Sequence, residues 1–484
     1  MLFVVKYFPE ITIKTSPVRK RFVKQLHRNL ARRIKYDVAS SGIEVVRYWD
    51  RLEVKGDVDA AAESKVAEIL AQTPGIAHFS EAVGVTFTDL DDLAEKVAEL
   101  WLPHLENQRF AVRAKRQGKH DFNSMEVERK LGSVLNWRCE SASVDLSNPT
   151  VVVKLEILND QCFVLQNQRP GLGGYPLGTQ DEVLSLVSGG FDSTVASYLT
   201  IKRGMQTHFC FFNMGGRAHE LGVKEVSYYL WRKFSPDQPL KFISVPFEGV
   251  VSEILENIHN SQMGVVLKRM MLRAATRIAA EKNIQALVTG EAIAQVSSQT
   301  LTNLSVIDSV TDTLVLRPLI TMDKGEIIEL SRRIGTEEFA ANMPEYCGVI
   351  SVKPTTRASR ERIEREETNF NWDVLEQALA SRAEMPIHQV AEDLKGDIKE
   401  TSISESVGDA IVIDIRHPDE EEKQPLDLGG ATLMKVPFYQ LNTRFPKLDS
   451  NRQYLLYCDK GVMSKLHAAH LADLGFTNIG VYRP

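Results

Sequence analysis

Two short stretches carry residue types whose spacing could do chemistry. Ser188-Gly189-Gly190-Phe191-Asp192-Ser193 lies between an apolar run and a helical pattern. Its paired glycines let the backbone turn tightly and bring N–H groups close to an anion. Ser188 and Ser193 add hydroxyl donors, and the helix that follows offers its positive end. Bare phosphate would repel a carboxylate at Asp192, so its expected task runs through Mg²⁺. No GxxxxGK[ST] segment occurs, so this is not a loop of the kind that transfers a γ-phosphate. The second stretch is YCDKGVMS, residues 457–464. Cys458 ends the apolar run QYLLY and opens a short loop into a helix near Ser464. A sulfur anion there faces backbone N–H groups and a helix N-terminus, which favours the thiolate.

The elements that must position these loops follow from pattern. At 484 residues, 43% hydrophobic and 25% charged, the chain has the composition of a globular protein with two to four domains. No apolar run is long enough to span a bilayer, and MLFVVKYF reads as a first strand, not a signal peptide. Five scattered cysteines with no CxxC pair exclude a disulfide scaffold and a zinc site, so no metal ligands are assigned and a reducing, cytoplasmic setting is expected. Cys139, Cys162 and Cys210 sit in apolar surroundings and read as core. Cys347, in EYCGV, sits in a loop that could approach both the phosphate loop and Cys458.

Net charge is −6, but Lys14 to Lys35 hold nine Lys or Arg and no acid. In the helix expected over Ser16–Lys35, Val18, Phe22, Leu26, Leu30 and Ile34 form one buried stripe and the arginines turn outward. Lys14, Arg19, Lys20 and Arg21 are therefore candidates for a nucleic-acid surface. In FAVRAKR, strand period sets Arg113 and Lys115 on one face and Arg116 on the other, and these three are added. Residues 1–60 fit a small ferredoxin-like α+β module and 61–168 a second mixed segment. From 176 to 390, buried strands alternate with helices, the pattern of a parallel, doubly wound sheet with ligands at the strands' carboxyl ends. RASRERIEREE and DLKGDIKETSISES read as a charged helical connector and a linker, and 406–484 form another α/β unit.

The SGGFDS stretch resembles the PP-loop ATP pyrophosphatases, which cleave ATP between the α- and β-phosphates. GEAIAQVSSQTLTNL and LITMDKGEIIELSRRIGT are similar to that group's other nucleotide segments. This resemblance implies that Leu186, Val187, Ser188, Gly189, Gly190, Ser193, Lys268, Gly290 and Gln299 hold the nucleotide, while Asp192 and Lys324 act on the phosphates. The C-terminal unit, with IDIR at Ile413–Arg416 and the Cys458 loop, resembles a rhodanese, whose cysteine carries sulfur as a persulfide. Lys460 is the only basic residue of that loop, where thiosulfate-using rhodaneses carry more arginine, which favours a protein sulfur donor over thiosulfate.

The order of parts, with FAVRAKRQGKHDFNSMEVERKLG and EYCGVISVKP, resembles the tRNA 4-thiouridine synthase family over essentially the whole chain; Thr194 departs from that family's more frequent proline. The resemblance implies a ferredoxin-like domain, a THUMP RNA-binding domain, a Rossmann-like PP-loop domain and a rhodanese domain. It further implies ATP and Mg²⁺, tRNA, a cysteine desulfurase as sulfur donor, the sulfur-carrier protein of thiamine synthesis, and a homodimer. The implied reaction adenylates O4 of the uridine at tRNA position 8 and replaces that oxygen with sulfur from Cys458. Cys347 then closes a disulfide with Cys458. A different PP-loop ligase, a sulfur relay serving thiamine synthesis alone, and a non-catalytic RNA-binding protein stay open as alternatives.

Overall fold

The computed structural model describes residues 1–38, 42–341, 343, 353–393, 402–416, 421, 424–436, 441, 444–458 and 462–484. They form two compact units, Met1–Thr179 with Lys202–Gly204, and Gln180–Ile201 with Met205–Pro484.

The first unit is built on one eight-stranded sheet. Its strands are β1 (Leu2–Tyr7), β2 (Glu44–Arg47), β3 (Arg51–Lys55), β4 (Ile76–Thr86), β5 (Arg109–Gln117), β6 (Ser143–Val144), β7 (Val151–Leu158) and β8 (Gln161–Pro170). Their spatial order is β2-β3-β1-β4-β8-β7-β5-β6. The helix Ser16–Asp37 buries Phe22, Leu26, Leu30 and Ile34 as the period requires, with Val18 half-buried. Arg33 departs from the outward pattern: it is buried and donates to Gln72 Oε1 at 2.7 Å, because the helix Ala60–Ala71 brings Gln72 beside it. The first core also runs past the residue-60 boundary expected from sequence. Val66, Ile69, Leu70, Ile76 and Phe79 join Phe3, Val5 and Leu26 in one cluster. A second core, under helices Leu90–Trp101 and Ser124–Arg138, gathers Leu93, Val97, Phe110, Leu131 and Val153.

In the second unit, β9 (Glu182–Leu186), β10 (Gln206–Asn213), β11 (Lys241–Pro246), β12 (Ala286–Val288), β13 (Leu314–Leu316) and β14 (Ala383–Pro386) form a sheet in the order β13-β12-β9-β10-β11-β14. All neighbours are parallel except β14, which closes the edge antiparallel to β11. The strand order reverses direction at β9, so the crevice above its carboxyl end is where a ligand should sit. The charged stretch forms a helix, Arg360–Glu367, as its reading as a helical connector expects, but it is anchored on one side. Ile363 is buried, and Glu367 receives buried Arg269 at 2.6 Å, so the helix is bolted to the long helix Met263–Glu281.

Five parallel strands, β15 (Ile403–Ser404), β16 (Ile411–Asp414), β17 (Leu433–Lys435), β18 (Tyr454–Tyr457) and β19 (Ile479–Tyr482), form the last sheet in the order β15-β19-β18-β16-β17. The helix Val462–Asp473 that follows β18 packs along the helix Gly216–Phe234 of the nucleotide sheet. At the start of the linker stretch, Asp393 binds Arg217 at 2.7 Å and Lys224 at 2.6 Å. The Arg217 hydrogen bond, with Lys224 adding to it, holds that carboxyl down to about 2.

Candidate functional sites

The chain leaves β9 at Val187, turns through Ser188–Gly190 and enters the helix Phe191–Lys202. Gly189 has φ +82°, the left-handed region that glycine occupies without penalty. A Cβ there would lie 2.8 Å from the Met343 side chain, and one on Gly222 would lie 2.9 Å from it, so both glycines form a seat for that thioether. Ser193 Oγ accepts the Ser188 N–H at 3.1 Å and lies 3.1 Å from Ser188 Oγ, curling the loop over the first helical turn.

Leu186, Val187, Ser188, Gly190, Asp192 and Ser193 line one cavity of about 250 Å³, together with Lys268, Gly290 and Gln299. Phe211, Phe212 and Met214 give it an apolar side. Gln299 Oε1 is buried there without a hydrogen-bond partner, an acceptor that an amine on a ligand would satisfy. Gly189 lies behind the wall against Met343. Lys324 reaches the wall through Asp192: its Nζ is 2.9 Å from both carboxylate oxygens, and Gln295 Nε2 donates to Oδ2 at 2.9 Å. Lys324 is the first residue of its helix, fixed by a capping box between Asp323 and Glu326.

Three groups that sequence did not single out steady this site: buried Glu291 and His219, and half-buried Arg317. Burial penalises the charge on Glu291, yet Lys268 at 3.7 Å and Arg317 at 2.9 Å outweigh it and hold the carboxyl below its ordinary range. Glu291 thereby keeps the Lys268 ammonium at the cavity wall. The third group, His219, projects from the helix Gly216–Phe234 against the phosphate loop, its Nε2 3.3 Å from the Ser188 carbonyl. Burial lowers its pKa to about 4 despite that contact, so the ring is neutral at pH 7 and Nε2–H donates. In the planar trans peptide the Gly189 N–H then points away from His219.

This carries a pH consequence. A folded pKa near 4 against an ordinary 6.5 means the unfolded chain takes up the proton first. Stability should fall as pH drops below about 6.5 and level off near 4, by roughly 3 kcal/mol. The melting temperature of His219→Gln should lose part of that pH dependence between pH 7 and 5; an unchanged profile would refute the assignment.

Cys458 follows the central strand β18 and is buried. The Ser464 N–H, in the first turn of the helix Val462–Asp473, donates to Sγ at 3.3 Å, and Ser464 Oγ lies 3.5 Å from it. Asp414 and Arg416 form a buried pair at 2.6 Å, and the Arg416 guanidinium lies 5.1 Å from the Tyr457 ring, bracing the strand end beside Cys458. Lys460 and Cys347 lie outside the described residues. Cys139, Cys162 and Cys210 are free and buried, and burial pushes the Cys162 and Cys210 thiols up to about 12.

On the first unit, Lys14, Lys20 and Arg21 are exposed, as are Arg113 and Lys115 on one face of β5. Arg19 and Arg116 are half-buried in local contacts. Arg19 stacks 4.0 Å from the Trp49 ring, and Arg116 donates to the Gly118 carbonyl at 2.9 Å. Among the described residues no cluster of three acidic, His or Cys side chains could hold a metal, and no helix is long and apolar enough to cross a membrane.

The family description "thiamine biosynthesis protein (ThiI)" matches residues 178–372, the ThiI ferredoxin-like domain 2–80, the THUMP domain 87–165 and the rhodanese-like domain 391–483. The chain is 55% identical to a tRNA sulfurtransferase of Azotobacter vinelandii over 100% of both sequences. It is also 55% identical to the tRNA sulfurtransferase of Pseudomonas aeruginosa PAO1, again over 100% of each. Among solved structures it is similar to a 4-thiouridine synthetase in complex with RNA and ATP, at 28% identity and TM-score 0.68. That match covers 79% of this chain and 98% of the other.

Proposed function

The chain belongs to the tRNA sulfurtransferase family, and from that premise we propose that it converts a uridine near the tRNA elbow, at position 8, to 4-thiouridine. The observation that carries the proposal is the pairing in one unit of an anion-cradling loop with a cysteine held at a helix N-terminus. ATP is the expected co-substrate. The cavity residues fit it: loop N–H groups and Lys268 suit phosphates, and the orphaned Gln299 Oε1 suits an exocyclic amine. One carboxylate, Asp192, suits an Mg²⁺ held chiefly by phosphate oxygens and water, whose charge would be shared with Lys324. Bound there, the ion would offset phosphate charge.

In this reading O4 of the uridine attacks the α-phosphorus of ATP and pyrophosphate leaves. Lys324, released from Asp192, and Lys268 stabilise charge on the phosphates. A cysteine desulfurase supplies sulfur to Cys458 as a persulfide. Its terminal sulfur attacks C4 and AMP departs with the oxygen. The Cys347 thiolate then attacks Sγ of Cys458, which frees 4-thiouridine and leaves a Cys347–Cys458 disulfide for an external dithiol to reduce. Cys347 lies four residues after Met343, which is seated on the phosphate loop, and four residues of chain reach at most about 14 Å. A homodimer, in which one copy's RNA-binding unit could present tRNA to the other's active site, and sulfur donation to the carrier protein of thiamine synthesis complete the reading.

The test is sulfur incorporation into unmodified tRNA with Mg-ATP, cysteine and a cysteine desulfurase, read out by nucleoside mass spectrometry. The expected result is 4-thiouridine with the wild type and none with Asp192→Ala, which should still load sulfur on Cys458. Loading of Cys458 without any thionucleoside from the wild type would leave a sulfur relay in place of a tRNA-modifying enzyme.

A further inference from the structure

We propose that Trp49 is a stacking platform for an unpaired nucleobase of the tRNA; this rests on the tRNA-directed function proposed above. Trp49 sits at the tip of the hairpin joining β2 to β3. The turn is closed by the Tyr48 N–H donating to the Arg51 carbonyl at 2.9 Å. From beneath, the buried Tyr7 hydroxyl sits within hydrogen-bond distance of the carbonyls of Tyr48 at 2.8 Å and Arg51 at 2.5 Å, and its one proton can serve either. The Arg19 guanidinium covers one side of the indole 4.0 Å from its ring, and its terminal nitrogens are held by the carbonyls of Thr12 at 3.2 Å and Trp49 at 2.7 Å. The ring is thus fixed, yet Trp49 remains 54% exposed, which leaves it surface away from Arg19 for a ligand.

A large aromatic ring held rigidly with a bare face has lost its rotamer freedom before any ligand arrives, which favours binding through that face. The surroundings select the occupant. Lys20, Arg21, Lys24 and Arg28 are exposed on the helix that carries Arg19, and the span Lys14–Lys35 holds no acid. The carboxylate next to the ring in sequence, Asp50, is compensated by Arg51 at 3.1 Å and Lys6 at 3.6 Å. A flat group that belongs to a polyanion meets both conditions, and a nucleobase flanked by phosphates is that group. Trp137 is more exposed, but its neighbour Arg138 is spent on Glu95 at 2.7 Å, so the same cationic setting is missing there.

Stacking and phosphate contacts differ in their response to salt, and this separates them. Each lysine or arginine on a phosphate contributes about 0.9 to the slope of log affinity against log salt, whereas a stacked base contributes none. The experiment measures unmodified tRNA affinity across a salt series for the intact chain and for Trp49→Ala, Trp49→Phe and Lys20→Ala, with melting curves to confirm folding. Trp49→Ala should bind about tenfold more weakly at an unchanged slope, Trp49→Phe should recover most of the loss, and Lys20→Ala should flatten the slope. Affinity of Trp49→Ala within about twofold of wild type would overturn the proposal. So would a loss accompanied by a flatter slope, which would make Trp49 only a support that aims Arg19 at a phosphate. If the wild type itself fails to bind tRNA, the function proposed above falls as well.

Discussion

Cys458→Ala should lower desulfurase-dependent 4-thiouridine formation by about a thousandfold or more, as the loss of a nucleophile does elsewhere, while the affinity for tRNA stays at the wild-type level. Cys162 and Cys210 cannot substitute for it: both are fully buried, and their thiols are held protonated up to about pH 12. Cys458 alone among the described cysteines ends a strand at a helix N-terminus, where the Ser464 N–H already points at Sγ. In the proposed reaction, the ATP-dependent half does not need that sulfur. Inorganic sulfide supplied in place of the desulfurase should therefore attack the activated carbon directly and restore product to the variant. If Cys458→Ala keeps more than a tenth of wild-type activity with the desulfurase, sulfur does not travel through this cysteine. If sulfide fails to rescue it, the variant has lost more than its carrier.

Gly290→Ala should cripple the ATP-dependent half. An added Cβ at 290 would lie 2.5 Å from the Asp192 carbonyl carbon, 2.6 Å from the Ser193 nitrogen and 2.8 Å from the Asp192 oxygen. All three are backbone atoms at the start of the phosphate-loop helix, so no side chain can swing aside. The loop and the segment after β12 must separate instead. Misplacing reacting groups by about 1 Å costs on the order of a hundredfold, and the overpacking itself destabilises by about 1–3 kcal/mol. The expected outcome is a KM for ATP raised at least tenfold, kcat lowered further, and a depressed melting temperature. Gly84→Ala is the matched control, since nothing lies within 4 Å of its added carbon. A Gly290→Ala enzyme with wild-type melting and ATP kinetics would mean that the close approach does not constrain the site.

Much of this architecture was legible in the sequence because it is written in local patterns. Period-four apolar residues from Phe22 to Ile34, the strand–glycine–helix order around Ser188, and the apolar run ending at Cys458 each fix an element and its buried side. What was not legible depends on partners distant in sequence. Arg33 turns inward because Gln72 waits for it, and Glu367 leaves solvent because Arg269 is buried beside it. Nothing in the sequence marks His219; its proximity to the Ser188 carbonyl exists only once β9 and β10 are paired. Glu291 offered a signal, since it directly follows Gly290, but its role needs Arg317 from after β13. The boundary set at residue 60 failed for a similar reason. A helix and strand that follow a charged turn can still complete the preceding core, as Val66 and Phe79 do.

One shared strand has a consequence for how a substrate is chosen. β4 pairs with β1 on one side and β8 on the other, so the sheet under the basic helix and the sheet carrying Arg113 and Lys115 are the same sheet. Cations mounted on a continuous hydrogen-bonded lattice cannot close around a ligand like fingers. They stand at fixed separations, like the jaws of a caliper set once. A nucleic acid satisfies such a surface by having the right span and curvature between its phosphates, whatever bases lie between them. If the proposed function holds, selection on this unit is a measurement of distance, which many tRNAs of one shape can pass.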